Sequence, residues 1–415
     1  MRLRNIAIVT ALLALTAAAG MAADNSGRIY GRVTLYDGDV LEGLIRWDKN
    51  EANWVDILNG TKEVPRQYLR DERYRDRREY AGKKEIEFFG IKIGETSGSS
   101  WSGNSACGIR FGHIRELEVI DDDRALLTLK SGQELELEES STDLGSAIRG
   151  IVIEDADEGE IELIWEDIER IEFMAARSDE ASRFGERLYG TLTTRRGEEF
   201  TGFVCWDIDE LFEEDILDGD ERNRSRKIPF EKIDAIERYS SSAARVFLKN
   251  GEDMVLRGSN DVDDDNRGIV ISDPSFGDVM VEWSEFERLE FSRPERQVTY
   301  DDFDGGRPLY GTVYTEDDDS YTGEIRWDND EAYTWEIIDG TFRNVEFDIE
   351  FSHIKEIRRR GYSGAIVTLR DGREFQLRDS NDIDDSNKGI YITTEGGEDI
   401  VVYWDEFDRA EFPSR

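Results

Sequence analysis

Leu309-Tyr310-Gly311-Thr312-Val313-Tyr314, an acidic turn at 316–319, then Tyr321-Thr322-Gly323-Glu324-Ile325-Arg326-Trp327-Asp328: two runs of alternating apolar and polar residues flank a turn. That is the pattern of a β-hairpin with one buried face. The block occurs three times. Ile29-Tyr30-Gly31 leads to Trp47-Asp48, and Leu188-Tyr189-Gly190 leads to Trp206-Asp207, each at the spacing that separates Gly311 from Trp327-Asp328. A further glycine follows each at matched distance, at Gly60, Gly219 and Gly340. A unit copied at fixed internal spacing predicts an assembly of similar modules.

Working outward, each copy divides into two halves of similar length, clearest in the third, at 309–360 and 361–412. In the first half, residues 332–338 supply a third strand, and 345–351 lead through Ser352-His353 into Ile354-Lys355-Glu356-Ile357. In the second half, Ala365-Ile366-Val367-Thr368-Leu369 and Glu374-Phe375-Gln376-Leu377 bracket Asp371-Gly372, a two-residue hairpin signal. Asn250-Gly251 and Ser131-Gly132 stand there in the other copies. The second halves end alike, in residues 164–173, 282–291 and 403–412, with a strand, a one-turn 3₁₀ corner and a final short strand.

That order of elements resembles the Sm-like small β-barrel: a hairpin, two strands, a 3₁₀ turn and a closing strand. The resemblance is one of pattern and size, and it implies barrel architecture without a ligand. The expected fold is all-β: three tandem repeats, 28–178, 179–296 and 297–415, each a pair of small barrels. A six-bladed β-propeller is the alternative. The first repeat carries an insertion at about 61–105 with Arg70, Arg73, Arg75, Arg77 and Arg78, a basic cluster and candidate docking loop for an acidic partner. Within it, residues 85–93 carry the pattern of an extra hairpin.

Residues 1–22 read as a signal peptide, with Arg2 and Arg4 before an apolar run too short for a bilayer. The expected location is therefore periplasmic or secreted, with no membrane span in the mature chain. The 95 acidic residues against 53 lysines and arginines give a formal charge of −42, which repels nucleic acid and anionic lipid surfaces. Cys107 and Cys205, the only cysteines, lie in different copies.

The sharpest local motif lies in the second halves of copies two and three. Asp261, Asp263, Asp265 and Asn266 recur as Asp382, Asp384, Ser386 and Asn387, a spacing of hard oxygens before a glycine that suits Ca²⁺. The competing reading is a polar connection closed by Asx turns. Copy one keeps only Asp143 of the motif. Residues 301–306 read as a solvated acidic linker. The histidines, His113 and His353, share a corner position where copy two has Lys232, as partly exposed residues would. The recurrent tryptophans, Trp47, Trp206, Trp327, Trp165, Trp283 and Trp404, read as packing residues. With no Ser-His, Cys-His or phosphate-loop pattern, the expected function is a non-enzymatic binding or scaffolding protein of the cell envelope, its partner a protein or envelope component. A calcium-binding envelope protein is the second reading, and a carbohydrate-active hydrolase the third.

Overall fold

The computed structural model describes residues 24–69, 85–88, 91–95, 103–180 and 182–414. The signal-peptide segment and Arg70, Arg73, Arg75, Arg77 and Arg78 lie outside the described residues. The chain is all-β; among the described residues the helical pieces are single 3₁₀ turns, and none is long and apolar enough to cross a membrane. The sheets are antiparallel and none closes on itself.

In the first copy the strands are β1 (Tyr30–Leu35), β2 (Val40–Trp47), β3 (Ile57–Glu63), β4 (Glu85–Phe88), β5 (Ile91–Glu95), β6 (Asn104–Arg110), β7 (Ile114–Val119), β8 (Arg124–Leu129), β9 (Glu134–Glu138), β10 (Ile151–Asp155), β11 (Gly159–Leu163) and β12 (Ile168–Phe173). β4 and β5 form the extra hairpin inside the insertion. The other ten run in the order β11-β10-β2-β1-β12-β7-β8-β9-β3-β6.

This order departs from the expected pair of separate halves. The hairpin β1–β2, from the first half, lies between β12 and β10 of the second. The hairpin β8–β9, from the second half, lies between β7 and β3 of the first. Each half keeps the expected order of strands, with the third strand of the third copy at Ile337–Phe342 and not at 332–338, but the hairpins are exchanged, and β7 against β12 joins the two groups. The same exchange recurs further along. Tyr189–Thr194 pairs with Phe286–Phe291, and Glu199–Cys205 with Ile269–Asp273. Tyr310–Thr315 pairs with Phe407–Glu411, and Ser320–Arg326 with Ile390–Thr394.

The glycines of the opening motif sit where the exchanged hairpin is gripped. Gly190 and Gly202 face each other in the hairpin register, as do Gly31 with Gly43 and Gly311 with Gly323. A Cβ at Gly202 would lie 2.3 Å from the Ser272 carbonyl oxygen, and one at Gly190 2.5 Å from that of Glu290. Missing side chains on both strands let both neighbouring backbones approach.

Turn chemistry differs from expectation in one respect. At Asp371-Gly372 only the glycine has positive φ, 95°, and Leu369 N–H donates to Arg373 O at 2.9 Å, a three-residue loop with a bulge. Two-residue turns with both central residues left-handed stand at Arg222-Asn223 and Arg343-Asn344.

The cores follow from strand alternation: β8 reads half-buried and buried in turn, with Ala125, Leu127 and Leu129 inward. All six recurrent tryptophans are buried. Trp206 stands edge-on to Trp283 at 6.3 Å, and Trp47 to Trp165 at 6.5 Å, so each pair ties a first half to its second. Copies two and three share one continuous apolar core, and Gly277–Val281 of copy two pairs directly with Val345–Glu350 of copy three.

Candidate functional site

The Trp-Asp corner is a tight reversal at the end of the second strand. In all three copies the Asp and its successor are left-handed: Asp48 and Lys49, Asp207 and Ile208, Asp328 and Asn329. Short polar side chains tolerate this conformation, which explains Asp at the first position but not Ile208 at the second. Backbone bonds between Trp47 and Glu51, repeated at Trp206 with Glu210 and Trp327 with Glu331, close the turn and bring a glutamate under each tryptophan.

The corner Asp is wholly buried and is held by the second half. Asp48 accepts from the Arg149 backbone N–H at 2.5 Å, from Arg149 Nε and Nη2 at 3.0 and 2.9 Å, and from Thr142 Oγ1 at 2.6 Å. Arg267 does the same for Asp207, and Lys388 with Asn381 for Asp328. The tryptophan indole then donates to the carbonyl of the loop aspartate: Trp47 to Asp143 at 2.8 Å, Trp206 to Asp261 at 3.0 Å and Trp327 to Asp382 at 2.7 Å. The same loop aspartate accepts a backbone N–H from the third strand, at Asn59, Asp218 and Asp339.

Asp261 and Asp382 are thus corner residues, and Asp143 performs the same task in copy one. Their neighbours close local turns. Asp263 accepts from Asp265 N–H at 3.1 Å and Asn266 from Gly268 N–H at 3.0 Å. Asp384 accepts from Ser386 N–H at 2.8 Å and Asn387 from Gly389 N–H at 3.0 Å. Among the described residues, two groups of three carboxylates each bring one oxygen per residue within 4.8 Å of the others, Asp48 with Glu51 and Asp143, and Asp207 with Asp209 and Glu210. Neither contains any of the eight residues of the Asp-rich spacing. The missed signal was Trp-Asp-x-x-Glu, present in every copy.

Burial pushes these carboxyls upward: Asp143 to about 7, Asp261 to about 6, Glu210 to about 10, and Glu51, Glu331 and Asp382 well above the carboxylate range.

No family model, curated protein or solved structure matches this chain. Its chemistry must be read from its own contacts.

The junctions between copies are polar and buried. Arg187 meets Asp56 at 3.2 Å, Arg110 meets Glu350 at 3.8 Å, and Lys62 meets Glu336, each pair joining two copies with side chains at most 9% exposed. His113 is buried here, not partly exposed as its corner position suggested. Gly305 N–H donates to its Nδ1 at 3.2 Å, leaving Nε2 to face Glu350 at 3.4 Å. The segment 301–306 is solvated only at its acids: Asp301, Asp302 and Asp304 are exposed, while Phe303, Gly305 and Gly306 are buried. Phe303 stacks edge-on to His113 at 5.0 Å, and Ser131 Oγ donates to Gly305 O at 2.9 Å. Just before it, Tyr300 Oη donates to Ile114 O at 2.9 Å. Cys107 and Cys205 are free and buried. A cleft of about 180 Å³ between copies one and two is lined by Arg28, Asn53, Arg187, Tyr189, Lys249 and Arg293, among others.

Across the junction of copies two and three, Asp278 faces Asp348 in register, at 4% and 5% exposure. Burial pushes Asp278 up to about 7, although Arg110 and Arg187 pull it down, and pushes Asp348 well above the carboxylate range. Both bind a proton more tightly folded than unfolded. Their stabilising contribution is therefore complete below the unfolded value near 4; that of Asp278 is lost as pH rises through about 7, and that of Asp348 as pH rises through its own raised value. Glu350 and His353 oppose this. Burial would raise Glu350, yet His113 and Arg110 hold it at about 2, and burial lowers His353 to about 4. Their contributions are present at neutral pH and lost on acidification, for His353 from about 6.5 downward. In EDTA, thermal unfolding should show a higher Tm at pH 6 than at pH 8, with the gap narrowed by Asp278→Asn. A Tm that climbs from pH 6 to 8 would contradict the raised pair.

Proposed function

We propose that this chain is an exported, non-enzymatic binding or scaffolding component of the cell envelope. Its three copies, each a pair of Sm-like five-stranded units with exchanged hairpins, form a single frame that presents strand edges to a partner. One observation carries this reading. Gly277–Val281 of copy two is covered by an edge strand of copy three, whereas among the described residues the equivalent β11 of copy one ends its sheet. The chain thus joins its own modules by strand addition and leaves the same type of edge uncovered elsewhere. Strand addition gives affinity through main-chain bonds, and exposed side chains then select the partner. On β11 these are Glu160 and Glu162. Copies bound together through Arg187–Asp56, Arg110–Glu350 and Lys62–Glu336 hold such edges at fixed separation, which suits multivalent engagement of an extended partner.

The test uses the whole chain with a photo-crosslinker placed at Glu160 or, as a control, at the exposed turn residue Asp317, in envelope extracts. Discrete protein adducts should form at Glu160, and Ile161→Pro should abolish them while the fold persists. Equal labelling from both positions would remove the support for an edge-binding role.

A further inference from the structure

We infer that Asp48, Glu51 and Asp143 hold a hard divalent cation of the Ca²⁺ class inside copy one. This does not rest on the scaffold reading, and it uses residues distinct from the Asp-rich spacing of copies two and three. One oxygen from each of the three carboxylates lies within 4.8 Å of the others, and the residues are 0%, 5% and 1% exposed. A cluster of acids alone would mean little. Here, however, Glu51 Oε2 and Asp143 Oδ1 are buried with no hydrogen-bond partner, while the remaining Asp143 oxygen is taken by Asn59. Two solvent-excluded oxygens therefore point to a ligand that the protein's own donors do not supply.

Charge argues for the class of that ligand. Among the described residues Arg149 is the one cation hydrogen-bonded to the group, through Asp48 at 2.9 Å, so three carboxylates face one guanidinium and a divalent ion cancels the excess. The donors are all oxygen, which selects a hard ion over a thiophilic one.

The sister corners differ in ways that make copy one the stronger site. In copy two Arg267 reaches both Asp207 and Asp209, at 2.7 and 2.6 Å, so one guanidinium offsets two carboxylates there; Glu210 Oε2 is likewise buried without a hydrogen-bond partner, but the loop aspartate Asp261 does not join that group as Asp143 does in copy one. In copy one the position of Asp209 is Asn50, whose amide oxygen takes the second Arg149 contact at 2.5 Å. Arg149 therefore leaves Glu51 without a hydrogen-bonded cation.

A proton shared between Glu51 and Asp143 is the competing occupant. The mature chain, stripped with EDTA, should be examined by native mass spectrometry with added Ca²⁺, and by Tb³⁺ luminescence excited through tryptophan. Trp47, bonded to the Asp143 carbonyl, should sensitise the lanthanide. Wild type should retain at least one Ca²⁺ and show sensitised emission that Ca²⁺ competes away. Glu51→Gln, which keeps the shape, should carry one ion fewer and lose roughly tenfold or more in Tb³⁺ affinity, since ligand charge sets affinity in such sites. The inference is overturned if wild type retains no Ca²⁺, if Glu51→Gln retains as many ions, or if the ion is lost instead on replacing Asp263 and Asp384 by Asn.

Discussion

Residues 309–360 and 361–412, made as separate peptides, should each be unfolded, and mixing them should restore β-structure at a rate that depends on concentration. The reason is the hairpin exchange. In 309–360 alone, Tyr310–Thr315 and Ser320–Arg326 lose Phe407–Glu411 and Ile390–Thr394, the strands on both outer flanks of the hairpin. In 361–412 alone, Gly364–Leu369 loses Ile354–Arg359, and Glu374–Arg378 loses its contact with Ile337–Phe342. The core divides the same way. Trp327 stacks against Phe407 and Phe412 at 5.4 and 6.4 Å, both from the other half. A fragment of about fifty residues buries too little surface to fold once it also loses those partners. The continuous stretch 309–412 should fold in the same buffer. Circular dichroism and amide dispersion in NMR report the outcome, and a well-dispersed spectrum from 309–360 alone would refute the exchange.

Much of this architecture is legible in the sequence, and the illegible part has a physical cause. Alternation marks the strands, Phe111, Phe230 and Phe351 mark the 3₁₀ corners, and the tryptophans mark the cores. Which hairpin enters which sheet is not marked. Both halves carry the same run of strands, so Tyr310–Thr315 meets equally suitable partners in its own half or in the other, and local pattern cannot choose between them. The candidate site was legible in part for a related reason. Asp261 and Asp382 stood out because acids surround them, yet those surrounding acids close Asx turns, while the deeper partners come from the corner, about fifty residues away along the chain. Glu51 looked like any other glutamate in a chain of charge −42. What sets it apart, with Glu210 and Glu331 at the same corner, is a buried oxygen without a hydrogen-bond partner, and only the folded packing supplies that.

Gly202→Ala should be among the most damaging single-atom additions in the molecule. The new Cβ would sit 2.3 Å from Ser272 O and 2.7 Å from its carbonyl carbon, both backbone atoms of the strand that holds the exchanged hairpin. A rotamer change cannot relieve a backbone clash. The two strands must part, which breaks the register of Phe203 with Ser272, Val204 with Ile271 and Cys205 with Val270. The facing strand gives no room either, because Gly190 is itself pressed against Glu290 O. Separation would also loosen Trp206 from Phe286 and Trp283, so the loss should reach about 3 kcal/mol or more, in the range of strained or overpacked core sites. Gly251→Ala is the control that separates close approach from backbone conformation. Gly251 has φ of 87° with no atom within 4 Å of its Cβ position, so only left-handed strain opposes the alanine, about 1–2 kcal/mol. Urea unfolding of the two variants should therefore rank Gly202→Ala clearly below Gly251→Ala. Because copies two and three share one core, the Gly202 variant should lower the midpoint of both together. Equal midpoints for the two variants would mean that the glycine pair is a matter of turn chemistry. A gap of the expected size would mean that Gly190 and Gly202 recur in every copy because two backbones must pass where a side chain would otherwise stand.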